Sequence, residues 1–131
     1  MILFMPVAYS IKLTNNATFV TGVRIKTIQG ATGSVSNITY SNITLKAINQ
    51  YGIVIQQDYL DGKPTGKPTA GVPIKHVTLS NVSGTVASGG KSKYILCASC
   101  SDFIFNNVTL LATSGGQAPA VCKGAPSGIT C

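Results

Sequence analysis

The sequence predicts an all-β fold, a parallel β-solenoid of about three to four coils. Three observations predict it. Apolar residues alternate as strands do, β-branched residues dominate, and i, i+3, i+4 spacing is absent. A short β-branched phrase carrying Asn recurs at residues 11–19, 35–45, 74–86 and 103–111, and a second strand type interleaves with it at 22–26, 52–56 and 94–98. The marking residues Asn16, Asn42, Asn81 and Asn107 are spaced by 26, 39 and 26 residues, the second series by 30 and 42, so both carry 12 or 13 extra residues in one interval. That interval, 58–73, holds three Pro and three Gly and reads as an insertion loop. Without it the period is near 26 to 30 residues, all strand and turn. A β-sandwich would bring its strands at shorter, hairpin-like intervals.

Taken in order, residues 1–10 are an apolar segment with no assigned element. It contains Pro6 and no preceding basic residue, which makes it a poor signal peptide. Residues 11–131 carry the coils. At 22–27 the run Gly-Val-Arg-Ile-Lys-Thr places Arg24 and Lys26 on one strand face and Val23 and Ile25 on the other. Cations two residues apart, about 7 Å, suit an acidic ligand, because each can hold a carboxylate. In the second strand series Val23, Ile53 and Ile95 are expected in register, as are Ile25, Ile55 and Cys97, with Arg24, Val54 and Leu96 outward. The asparagine of each coil suits a sharp turn, since Asn tolerates left-handed backbone angles, and stacked Asn side chains bond from coil to coil. His76, in Ile-Lys-His-Val, reads as structural.

Charge and cysteine content bound the function. Charged residues are only 10%, with nine Lys and one Arg against three Asp and a net charge of +7. The cations are scattered singly and no aromatic–basic patch accompanies them, which argues against nucleic acid and fits a polyanionic polysaccharide. No apolar run approaches ~18 residues, so no membrane helix is expected. Five N-glycosylation sequons begin at Asn16, Asn37, Asn42, Asn81 and Asn107, and they point to secretion. An asparagine stacked inward could not carry a glycan, so some sequons are expected to serve the backbone instead. The cysteines Cys97, Cys100, Cys122 and Cys131 allow three pairings. The local pairing closes two small loops, and Gly124, Pro126 and Gly128 let the chain return from Cys122 to Cys131. A redox or zinc role for Cys97-x-x-Cys100 is disfavoured, because no second such unit follows and His76 is 21 residues upstream. No metal and no cofactor are expected.

The run Gly22 to Thr27 resembles the Arg-Ile-Lys motif of fungal polygalacturonases, glycoside hydrolase family 28. The resemblance continues through residues 51–59 (Tyr-Gly-Ile-Val-Ile-Gln-Gln-Asp-Tyr), 62–68 (Gly-Lys-Pro-Thr-Gly-Lys-Pro), 94–97, 100–102 and the Cys122-to-Cys131 end. It implies a right-handed parallel β-helix that cleaves α-1,4 bonds between galacturonates with inversion, and a secreted protein. It implies that Arg24 and Lys26 hold galacturonate carboxylates beside the scissile bond and that Tyr51 lines the same groove. Asp58 and Tyr59 are further candidates for its rim. The Cys-x-x-C is closer spaced than the family's usual pair. Inverting hydrolysis needs two carboxyl functions with room for water between them. The family's Asn-Thr-Asp, Asp-Asp and Gly-His-Gly segments are absent here, so no catalytic residue is assigned. The expectation is the C-terminal portion of an endopolygalacturonase that keeps the substrate-binding strand, lacks activity alone, and is monomeric where its remaining coils are present. The alternative is a non-catalytic β-solenoid that binds pectin or serves at a wall surface.

Overall fold

The computed structural model describes residues 21–131, together with the strand pairing of three short segments before them. Those segments are β1 (Leu3–Phe4), β2 (Ala8–Tyr9) and β3 (Lys12–Leu13). Asn16 lies outside the described residues. The later strands are β4 (Thr21–Ile28), β5 (Val35–Ile48), β6 (Tyr51–Leu60), β7 (Lys63–Pro64), β8 (Ile74–Val86), β9 (Lys91–Leu96), β10 (Cys100–Ala112) and β11 (Ala120–Lys123). They form two sheets. One runs β5-β8-β10, with β1, β2 and β3 paired along the free side of β5, and the other runs β4-β6-β9-β11. Every pairing in both is parallel except β6 with β7. The chain alternates between the sheets, so β4–β5, β6–β8 and β9–β10 are successive coils of a parallel β-helix and β11 begins another.

Stacking of like residues builds the core. Ile25, Ile55, Ile95 and Cys122 form one column in the β4 sheet. Ile38, Val77 and Phe103 form another in the β5 sheet, where Ile43, Val82 and Val108 follow. The column of Ile25 is aligned as expected up to Ile55, but the third coil is displaced by two residues. Ile95 pairs with Ile55 and not with Ile53, whose partner is Lys93, and the outward column is Arg24, Val54 and Tyr94. A shift of two preserves which side chains face inward, so alternation alone does not distinguish the two registers.

The long strands of the β5 sheet bend at two columns of left-handed residues. Asn42, Asn81 and Asn107 have φ of 55°, 56° and 53°, and Asn37, His76 and Asp102 have 58°, 57° and 57°. Asx residues and histidine tolerate these angles better than other side chains. In the first column Asn81 Nδ2 donates to Asn42 Oδ1 at 3.2 Å and Asn107 Nδ2 to Asn81 Oδ1 at 2.9 Å. The ladder therefore forms, but on the exposed side, since all three asparagines face solvent. His76 belongs to the second column, with Nδ1 3.5 Å from Asp102 Oδ2.

Strand β6 continues to Leu60, and β7 folds back on it, Tyr59 opposite Pro64 and Leu60 opposite Lys63. Residues 61–67 are exposed. The rest of the insertion is tied down: Thr69 N donates to Gln57 O at 3.1 Å, and Gly33 N to Gly71 O at 3.1 Å. Cys97 is bonded to Cys100 and Cys122 to Cys131, each pair with Cα atoms 5.8 Å apart.

Candidate functional site

The site is the outer face of the β4–β6–β9 sheet, and the core dictates it. Val23 and Ile25 are 3% and 6% exposed inside the helix, which turns Arg24 and Lys26 outward. Next to them on β6, Val54 and Gln56 are also buried, although Val54 is no part of the interior cluster. The outer face is thus covered by its own side chains.

The cover is Tyr59. Between Lys26 and Ile28 the register slips: Lys26 pairs with Gln56, but Ile28 pairs with Tyr59. The extra residue on β6 is a bulge, which re-aims the side chains after it. Arg24 Nη2 donates to Tyr59 Oη. The guanidinium carbon lies 4.9 Å from the Tyr59 ring centroid and Lys26 Nζ lies 4.5 Å from it. One ring therefore serves both cations, a contact worth roughly 0.5–1 kcal/mol at exposed sites. Arg24 Nε is shielded from solvent and has no hydrogen-bond partner among the described residues.

Asp58 is not at the rim. It is fully buried, its Oδ1 accepting from Gln56 Nε2 at 2.9 Å and its Oδ2 from Gly66 N at 2.7 Å. Its carbonyl accepts from Thr65 N at 2.9 Å and Thr65 Oγ1 at 2.8 Å. The strand parity that points Gln56 outward points Asp58 outward too. Asp58 keeps the side of Gln56, but the hairpin residues Thr65 and Gly66 close over it, and the carboxylate anchors them.

Tyr51 and Tyr94 stack with centroids 4.9 Å apart, and Lys91 Nζ stands 6.0 Å from the Tyr51 ring. The two tyrosines, with Arg24, Gln56, Tyr59 and Pro64, line a cleft of about 100 Å³. Burial, then the neighbouring Tyr51 and Asp58, push the Tyr94 phenol above its ordinary value of 10.0. Arg24 and Tyr51 are thus brought into one cleft, and Lys26 joins Arg24 at the Tyr59 ring. Tyr59 and Tyr94 are the cleft residues that sequence reasoning undervalued. For Tyr94 the available signal was its place beside the inward Ile95, where an aromatic at an outward position has no core to fill.

No carboxylate faces this cleft among the described residues: Asp58 is buried, Asp102 is at a bend of the other sheet, and Asp61 is on the exposed hairpin tip. Nor does any group of three His, Cys, Asp or Glu gather that could hold a metal, among the described residues. The arrangement can bind an acid on a rigid aromatic and cationic surface. Among the described residues it holds no pair of carboxylates of the kind inverting hydrolysis uses.

Residues 9–131 match the family model described as glycosyl hydrolases family 28. The chain is 58% identical over 112 residues to a polygalacturonase of Penicillium griseoroseum, covering 84% of this chain and 29% of that one. It is 58% identical over 111 residues to an endo-polygalacturonase of Sclerotinia sclerotiorum, covering 84% and 28%. It is 52% identical over 124 residues to endopolygalacturonase 1 of Colletotrichum lindemuthianum, covering 93% and 33%. The chain spans about a third or less of the length of these relatives.

Proposed function

The chain belongs to glycosyl hydrolases family 28, and from that premise we propose that it is part of a polygalacturonase, an extracellular hydrolase of the α-1,4 bonds of polygalacturonate in pectin. Its contribution is the carboxylate-holding half of the groove. The observation that carries this is the placing of Arg24 and Lys26 over one ring, beside the stacked Tyr51 and Tyr94. A galacturonate ring has an apolar face for an aromatic platform and a carboxylate for the cations. Two disulfides support an oxidising, extracellular destination.

The mechanism divides. Bond cleavage needs a proton donor at the glycosidic oxygen and a base for water. The described residues offer no pair of carboxylates at the cleft, so the chain alone is expected to hold the substrate without cutting it. That same observation favours a second reading, a β-solenoid that only binds pectin. Reducing-end release and equilibrium binding on polygalacturonate test both. The expected result is weak, salt-sensitive binding without release, lost on Arg24→Ala plus Lys26→Ala. Release abolished by Asp58→Asn would overturn the division, and binding indifferent to the double variant would remove these residues from the site.

A further inference from the structure

Sequons begin at Asn37, Asn42, Asn81 and Asn107 among the described residues, and the hydrogen bonds of the β5 sheet divide them into two kinds. We propose that Asn37 is the one of the four that carries an N-linked glycan in the folded protein, and that the other three keep their carboxamides for the ladder. The proposal rests on an extracellular destination and not on what the cleft binds.

The ladder engages its amides. Asn107 Nδ2 donates to Asn81 Oδ1 at 2.9 Å, and Asn81 Nδ2 to Asn42 Oδ1 at 3.2 Å. A carboxamide holds its oxygen and nitrogen on two limbs of one plane. The plane that turns Asn42 Oδ1 towards β8 therefore turns its Nδ2 to the other side of β5, where β2 and β3 pair. Each ladder nitrogen thus points along the stack, into the ~4.8 Å between neighbouring strands. A sugar on any of them is crowded by the next coil. Asn107 and Thr109 also line one cleft with Gly128, Ile129 and Thr130, so the C-terminal tail crowds that sequon from a second side.

Asn37 stands in the other bend column, with φ of 58°. The next residue of that column is His76, and its Nδ1 is turned to Asp102, in the coil beyond. The Asn37 side chain is exposed and makes no hydrogen bond among the described residues. Glycan transfer there breaks nothing in the fold. The amide nitrogen attacks the anomeric carbon of an oligosaccharide carried on a polyisoprenyl pyrophosphate. The N–C bond forms, the sugar–phosphate C–O bond breaks, the lipid pyrophosphate leaves, and Nδ2 gives up one of its two protons. The outward rows beside Asn37, Thr39–Thr78–Ile104 and Ser41–Ser80–Asn106, are uncharged, and Ile104 is 54% exposed. In a chain with only 10% charged residues, a glycan on this sheet supplies the solubilising polarity that its side chains lack, away from the sheet that bears the cleft.

The test is site mapping on the chain secreted from a yeast behind a cleavable leader. The folded monomer is treated with peptide N-glycosidase in H₂¹⁸O, which converts each glycan-bearing Asn to ¹⁸O-labelled Asp, and its peptides are sequenced by mass spectrometry. The expected result is label at Asn37 and none at Asn42, Asn81 or Asn107. Asn37→Gln should lose one glycan from the intact mass and keep the native circular dichroism. Unlabelled Asn37, or label at a ladder asparagine in the folded monomer, would overturn the proposal. The map is read on the native sequence, so a folding defect in the variant cannot imitate either result. It is also read without substrate, so it stands or falls apart from the binding experiment on the cleft.

Discussion

Replacing Gln57 by Leu should be among the most damaging single changes in the chain, although Gln57 touches no ligand. The side chain is fully buried and makes four hydrogen bonds to backbone. Its Nε2 donates to Val72 O at 2.8 Å and Ser99 O at 3.1 Å, and its Oε1 accepts from Ala98 N at 2.7 Å and Ser99 N at 2.8 Å. One residue thus pins the end of the insertion and the turn inside the Cys97–Cys100 bridge. Leucine fills a similar volume but leaves the Val72 carbonyl and the Ala98 and Ser99 amides unpaired, while Ser99 O keeps the bond from Ile74 N. At a net ~0.5–1.5 kcal/mol per bond the loss is ~2–6 kcal/mol. Apolar burial of the leucine returns about 1–2 kcal/mol of it, leaving roughly 3 kcal/mol. That is a large part of the ~5–15 kcal/mol typical of a domain. Urea unfolding followed by circular dichroism measures it, and hydrogen exchange at the Ala98 and Ser99 amides localises it. A variant within about 0.5 kcal/mol of native, with those two amides protected as before, would refute the reasoning.

Three further outcomes are expected. Gly84→Ala should abolish folding or lower stability by more than ~3 kcal/mol, because Gly84 has φ of 140° and an added Cβ would overlap the Leu45 carbonyl of the neighbouring coil; expression yield and melting temperature are the readouts. Raising pH should destabilise the cleft: a phenol whose folded value lies above its unfolded 10.0 binds more protons folded than unfolded, so its contribution is complete below pH 10 and is lost as pH climbs through the folded value, visible as a Tyr94-dependent fall in stability that Tyr94→Phe removes. Cys122→Ser plus Cys131→Ser should lower stability by ~2–3 kcal/mol, and a non-reduced digest that links Cys122 to Cys97 or Cys100 would contradict the observed pairing.

The fold was largely legible because a solenoid repeats its physics. Each coil needs a β-branched residue at the same inward position and an Asx at the same bend, and both recur visibly. Register beyond the second coil was not legible, since Ile95 satisfies the inward pattern whether it stacks on Ile53 or on Ile55. The second bend column was hidden by its letters: Asn37, His76 and Asp102 share no identity. Each nonetheless precedes a ladder asparagine by five residues, and all three belong to the types that accept left-handed angles.

Of the site, the strand alternation disclosed Arg24 and Lys26, and it disclosed nothing of Tyr59. A tyrosine 35 residues from Arg24 reaches it only through a bulge, and a bulge has no alternation signature. The run Gln56-Gln57-Asp58 misled in the opposite way. Asp58 was expected at the rim, whereas all three are buried: Gln56 donates to the Asp58 carboxylate, Gln57 bonds the end of the insertion and the disulfide turn, and Asp58 holds Gly66.

The central claim is that the outer face of the β4–β6–β9 sheet holds an acidic sugar. Backbone amide shifts on titration with trigalacturonate test it most directly. The account predicts saturable movement at Arg24, Lys26, Tyr51 and Tyr59, stillness along the Asn42–Asn81–Asn107 ladder, and loss of the effect as salt is raised. Shifts centred on the ladder, or spread evenly over the lysines without saturation, would contradict it.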